Sequence, residues 1–352
     1  MQLPGARTTR LVSKGAKLRN PSGPALFAEA MQVEQDVLLV DGFEADGSGE
    51  DGAVCLTGAR IGGRLDLTGA RLRNLGGEHG GRIALNAGRL AVGGDIRGYN
   101  VTCQGQLCLD NAEVAGSIHL EEARLSDPAG WPLTCQHLKA HEVVLLTSEP
   151  IKGADLRHAR IDLLRDEPGK WPEKLRLDGL SYSALEPPPP GTRGQRQGWL
   201  DRDDYRPQPY EKLASLYRQL GNDSEAREVL LAKQKRHREG LGPIQKAWGY
   251  LQEFTVGYGY KPSYAVLWLI ALLAVGTLAF GLQHPAPVHA SHPAFVPLIY
   301  TLDLLLPVID FGQQNEFTPH GTQAWLAYGL IAAGWILATT IAAGITRALR
   351  RQ

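Results

Sequence analysis

One short pattern constrains this chain more than any other. Apolar and small residues recur as apolar-x-Leu-x-x-small-x-apolar, first at Val54, Leu56, Ala59 and Ile61 and then, 11 residues on, at Leu65, Leu67, Ala70 and Leu72. The pattern returns in residues 83–90, 107–114, 118–125 and 144–151. A longer period of 53 to 54 residues runs from Leu18 to Leu72 to Leu125. Eleven residues are close to three helical turns, but Gly pairs such as Gly62-Gly63 and Gly93-Gly94 would weaken a helix at every repeat. Short strands joined by Gly turns fit better, because an apolar-x-Leu pair puts both side chains on one face of a strand. The small residue then turns inward where the coil is narrow, and stacked coils share one apolar interior.

The five-residue beat is local, as at Ala154, Leu156, Ala159 and Ile161. With this beat, residues 15–180 resemble the pentapeptide-repeat and related right-handed β-helix proteins, in which Ala and Leu occupy inward positions of successive coils. The fold expected is therefore an all-β right-handed, pentapeptide-repeat-like solenoid over residues 1–182. Residues 183–208 read as a Pro/Gly-rich linker, since the prolines at 187–190 remove ladder donors.

An α-helical hairpin is expected within 209–261. Tyr210, Leu213, Leu216, Tyr217 and Leu220 recur at helical spacing, and Gly221 stands where a C-terminal cap belongs. A second helix is expected from Asn222, with Glu225 in a capping box. Ala214, Tyr217, Gly221, Ala226 and Leu230 resemble one tetratricopeptide-type unit, and a single unit suits bracing rather than peptide binding.

Residues 264–282 and 324–346 hold no charged residue, and each is about as long as the roughly 20 residues that cross a bilayer. Two transmembrane helices are expected there, in a membrane domain over 262–352 with an extracytoplasmic loop at 283–323. Seven Lys and Arg lie between Arg227 and Lys261, and Arg347, Arg350 and Arg351 follow the second stretch, whereas 283–323 contains none. That asymmetry predicts a multi-pass inner-membrane protein with both termini cytoplasmic. Met1 leads into polar sequence without the apolar core of a signal peptide, which also points to a cytoplasmic solenoid.

The formal net charge is zero, and residues 1–180 hold 21 Lys and Arg against 24 Asp and Glu, which excludes a nucleic-acid footprint. Cys55, Cys103, Cys108 and Cys135 have neither Cys-x-x-Cys metal spacing nor a compact disulfide framework and read as buried thiols. Thr255, Val256, Gly257, Tyr258 and Gly259 spell the potassium-channel filter, yet they precede the first apolar stretch and read as a juxtamembrane turn. Asp303 and Asp310, seven residues apart in an apolar segment interrupted by Pro307, are the candidate pore or loop carboxylates. His284, His289, His292 and His320 share that loop without metal spacing. His119 lies beside Glu121 and Glu122, but neighbouring residues on a strand face opposite ways, so the two carboxylates do not serve one site. No catalytic residue, cofactor motif or metal set is found, and the chain is not expected to be an enzyme.

The domain order, with Gly58 to Leu67 as its motif, resembles bacterial membrane-associated pentapeptide-repeat-like proteins that end in a two-helix, ion-channel-like membrane module and are often labelled membrane-associated oxidoreductases. The resemblance implies a membrane-anchored cytoplasmic scaffold or sensor whose solenoid presents a protein-interaction surface. Its partners are then a lipid bilayer and a protein on that surface. The alternatives are a subunit of an oligomeric cation channel gated by the solenoid, which requires further copies of the chain, and an oxidoreductase by label alone.

Overall fold

The computed structural model describes residues 1–74, 76, 83–186, 195–239, 262–289, 294–306 and 309–349. The chain divides into two compact units, Met1–Leu230 and Leu231–Gln352.

The first unit is a right-handed β-solenoid of about seven turns, consistent with a pentapeptide-repeat-like fold. Its strands are short and every strand pair in it is parallel, so that four ladders run along the axis. Ladder I begins with Arg7–Thr8, Gln32–Val33, Arg60–Ile61 and Ala91–Val92. Ladder II begins with Leu11–Lys14, Val37–Val40, Leu65–Asp66 and Ile96–Arg97. From Glu113–His119 onward single strands span both ladders, and the two merge into one 12-stranded sheet. Ladder III has five strands, from Lys17–Arg19 to Arg124–Ser126, and ladder IV has seven, from Leu26–Phe27 to Lys174–Arg176.

The sequence pattern is the half-coil. Val54 stands on ladder IV, Leu56 and Ala59 flank the turn, and Ile61 reaches ladder I; Leu65, Leu67, Ala70 and Leu72 repeat this from ladder II to ladder III. None of these eight is more than 2% exposed. Between Leu and Ala the chain closes a tight turn, with Ala59 N–H donating to Leu56 O (3.0 Å) and Ala70 N–H to Leu67 O (3.0 Å). The residue before the Ala has positive φ, 66° at Gly58 and 69° at Gly69. Leu18, Ala45, Leu72, Cys103 and Leu125 pair in one column, so the 53 to 54-residue period is two coils. Coil length varies from 31 residues between Leu65 and Ile96 to 21 between Leu164 and Leu185.

The Gly pairs are corners of another kind. Gly62 and Gly93 lie between ladders I and II without positive φ. Gly93 N–H donates to Ile61 O (2.8 Å), and a Cβ on Gly93 would run into Gly62 O of the preceding coil. Glycine is needed there for coil-to-coil approach, not for backbone conformation.

The last strand, Ser181–Glu186, is followed by α1 (Gln195–Leu200), α2 (Pro207–Gln219) and α3 (Asp223–Glu239). Tyr210, Leu213, Leu216 and Tyr217 bury the inner face of α2, whereas Leu220 is exposed. Gly221 has φ 77°, and its N–H donates to Arg218 O while Asn222 N–H donates to Tyr217 O (2.8 Å), the paired bonds of a Schellman cap.

The second unit contains α4 (Pro262–Leu282), α5 (Pro297–Leu305) and α6 (Thr322–Leu349), with Ala286–Pro287 and Phe317–Thr318 as a small antiparallel pair. The expectation of two transmembrane helices is corrected here: among the described residues no helix is long and apolar enough to cross a membrane. The described part of α6 opens on Thr322 and Gln323, and dilutes its aliphatic residues with Trp325, Tyr328, Gly329, Gly334 and Trp335. An uncharged stretch is not thereby apolar enough for a bilayer, and these residue types of α6 carry one property without the other. The short α5 packs on both long helices, with Phe280, Tyr300, Leu304, Leu305 and Leu330 at the centre. Gly276 and Gly334 admit it, since a Cβ on either would strike Thr301 or Leu305 O.

Candidate functional site

Outward residues of a solenoid fall into columns one coil apart, so the surface can be read column by column. On ladder I one column runs Gln32, Arg60, Ala91, Glu113, Lys139 and Arg160. The column beside it carries Glu34, Gly62, Gly93, Ala115, His141 and Asp162. Long side chains stand at both ends, and Gly62, Ala91, Gly93 and Ala115 leave the middle low. The result is an open groove of about 860 Å³ along the axis. Its rims are charged: Lys139 Nζ meets Glu113 Oε1 at 2.6 Å, and His141 Nδ1 lies 3.1 Å from Asp162 Oδ2. The Lys139 bond holds the Glu113 carboxyl below the usual carboxylate range. Backbone amides on the floor are spent within the ladder, as at Gly94 N–H to Gly63 O (2.8 Å), so recognition in the groove falls to its shape and to the rim charges.

Ladder II carries two groups of polar contacts. The Tyr99 and His119 rings stack with centroids 5.1 Å apart, and His119 Nδ1 lies 3.2 Å from Glu121 Oε1. Ser117 Oγ donates to Glu142 Oε2 (3.0 Å), and Arg165 reaches both Glu142 (3.4 Å) and Glu186 (2.9 Å). Asp95 accepts Ser117 N–H and pairs with Arg97 at 3.3 Å; that backbone bond, ahead of the opposing effect of burial, keeps its carboxyl below the ordinary range. Glu122 sits at a turn with φ 54° and pairs with Lys170 at 3.3 Å, away from Glu121.

The two carboxylates singled out from the sequence have different surroundings. Asp303 is buried on α5, its Oδ1 accepting Phe311 N–H (2.8 Å) and its Oδ2 accepting Gln313 N–H (2.9 Å) and Gln314 N–H (2.8 Å). It ties the following loop back to the helix. Asp310 is exposed and accepts Gly312 N–H at 2.7 Å. His284 packs edge-on to Phe295 (5.2 Å), and His320 Nδ1 lies 3.0 Å from Thr318 O. His292, Pro307 and the filter-like residues 255–259 lie outside the described residues.

All four cysteines are free and buried. Redox exchange requires an accessible thiolate. Burial instead pushes the Cys103 thiol up to about 12 and raises those of Cys108 and Cys135. Among the described residues no group of three or more His, Cys, Asp and Glu is placed to hold a metal ion.

Compared with protein-family models, curated proteins and solved structures, the chain matches none.

The columns explain what the sequence left unseen. The contacts of Tyr99 with His119, and of Ser117, Glu142 and Arg165, draw on coils of unequal length, so no fixed spacing announces them. The groove arises from small residues at successive corners, and the Gly pairs were its only signal.

Proposed function

We propose that this chain is a β-solenoid scaffold that presents the ladder I face to a protein partner. The observation that carries the proposal is the groove: a low floor of Gly62, Ala91, Gly93 and Ala115 between charged rims, on a face whose backbone is fixed by parallel pairing. A rigid face spends little conformational entropy on docking, and charged rims around a small-residue floor suit an interface with apolar centre and polar edge. Anchoring through transmembrane helices forms no part of this reading.

The test is site-specific photo-cross-linking. A photoreactive residue at Ala91 or Ala115 should give one discrete adduct in the cell of origin, and the same residue at Gln104 on ladder III should not. Ala115→Arg, which fills the groove, should remove the adduct formed from Ala91. Equal adducts from all three positions, or none from the groove, would overturn the assignment.

A further inference from the structure

The second unit carries a groove of a different kind. Residues of α4, with Leu298 of α5, border about 470 Å³, within the roughly 300–1,000 Å³ of small-ligand sites. Ala274 and Gly281 keep it low, and its walls run from Ile270 to Leu282, twelve residues or about 18 Å along the helix. Ile270, Leu278, Leu282 and Leu298 are 50 to 77% exposed. Large aliphatic side chains left open side by side mark a place where something apolar is bound.

Two observations say what covers it. The first is charge. None of the described lining residues is charged, and no Lys or Arg lies between Lys261 and Arg347. A protein partner is met by a polar rim, which is missing here, and a carboxylate or phosphate inside the groove would find no counter-charge. The guest is therefore neutral along the length that the groove holds. The second is a hydroxyl. Thr301 Oγ1 donates to Pro297 O (2.7 Å) and Thr339 Oγ1 to Trp335 O (2.8 Å), the bond to the preceding turn that a helical Thr makes. Thr277 is the one polar side chain among the described residues lining the groove, and its buried Oγ1 has no hydrogen-bond partner among them. A hydroxyl left in that state costs free energy that an acceptor on the guest removes.

We infer that this groove binds one acyl chain of a phospholipid, with an ester oxygen of the lipid accepting a hydrogen bond from Thr277 Oγ1 and the headgroup outside in water. The methylenes lie along α4 over Ala274 and Gly281 and cover the aliphatic walls, which is the favourable term. The ester supplies an acceptor without a charge. A free fatty acid has the same chain, but its ionised carboxylate would enter hydrocarbon unpaired. The site asks for no helix that crosses a bilayer, only for one chain laid along one groove, and it is independent of the ladder I face.

The test uses the full chain and a phosphatidylcholine that carries a photoreactive group on one acyl chain, with adducts mapped by peptide mass spectrometry. Adducts should fall within residues 270–282 and at Leu298. Ala274→Trp, which fills the groove from an exposed position, should abolish them, whereas Ala332→Trp, exposed on α6, should leave them unchanged. Thr277→Val keeps the shape without the hydroxyl and should weaken apparent affinity about 2- to 10-fold. Methyl palmitate should displace the probe about tenfold better than ionised palmitate. Adducts as strong at Trp325 and Trp335 of α6, or adducts that survive Ala274→Trp, would refute the groove as the site. Unchanged affinity in Thr277→Val would refute the hydroxyl as the lipid's partner, and equal displacement by palmitate would refute the neutral ester as the group recognised.

Discussion

Gly93 and Gly69 both stand at corners of the coil, yet replacing them by alanine tests different physics. At Gly69 the added methyl meets open space, and only the positive φ of 69° opposes it, a cost of roughly 1–2 kcal/mol. At Gly93 the methyl meets the backbone of the adjacent coil, and the ladder must shift, which typically costs about 1–3 kcal/mol and more where backbone cannot yield. Urea unfolding should therefore find Gly93→Ala the more damaging, and the opposite order would show that the corner is slack. Asp155 gives the chain an acid sensitivity. Burial favours its neutral form, but Arg157, through Nε and Nη2 at 2.6 to 3.1 Å, and Arg176 at 3.2 Å outweigh that and hold the carboxyl below its ordinary value. A depressed native value means stability that is present above the unfolded value, near 3.9, and lost as pH falls through the native one. Asp155→Asn should lower stability at neutral pH and flatten its decline in acid; an unchanged acid limb would show that Asp155 contributes nothing to it.

Elements tell how far the sequence could be read. The half-coil was legible because an apolar or small residue holds each inward place, even where its identity changes, as in the column Leu56, Ala87, Leu109, Cys135 and Leu156, and Gly221 was legible because only one kind of residue suits that cap. The long uncharged helices were misread, since charge is visible residue by residue whereas the apolarity needed for a bilayer is a sum over a whole span. Their true constraint is α5, which a nine-residue helix cannot announce by periodicity. Asp303 closes that element: with three N–H bonds on one buried carboxylate, Asp303→Ala should cost about 2–4 kcal/mol and speed exchange at Phe311, Gln313 and Gln314. Equal protection in the variant would mean that the loop holds itself. Near α1, burial raises the Asp166 carboxyl, and Arg196, set between the rings of Trp171 and Trp199 with Nη1 2.7 Å from Asp166 Oδ1, only partly offsets this. Arg196→Ala should cost about 3–5 kcal/mol at neutral pH, because a buried charge is left alone. A raised native value places the favourable range at low pH, so that deficit should shrink as pH falls and Asp166 takes up a proton. A deficit independent of pH would assign the loss to packing against Trp171 and Trp199.

On the scale of the molecule, a solenoid is a stack in which each coil touches only its neighbours, and stability is close to a sum over coils. Ile96 and Ile118 hold the same place one coil apart. Deleting residues 96–117 should therefore leave a cooperative, shorter solenoid, whereas deleting half as many should move ladder II residues onto another face and prevent folding. Circular dichroism and thermal melting of the two deletions check this, and equal folding of both would contradict the coil assignment. Because each coil adds about 4.8 Å along the axis, the number of turns is a length. The groove on ladder I is accordingly a ruler: inserting or removing a turn changes how long a partner it can hold without changing a single contact at either end.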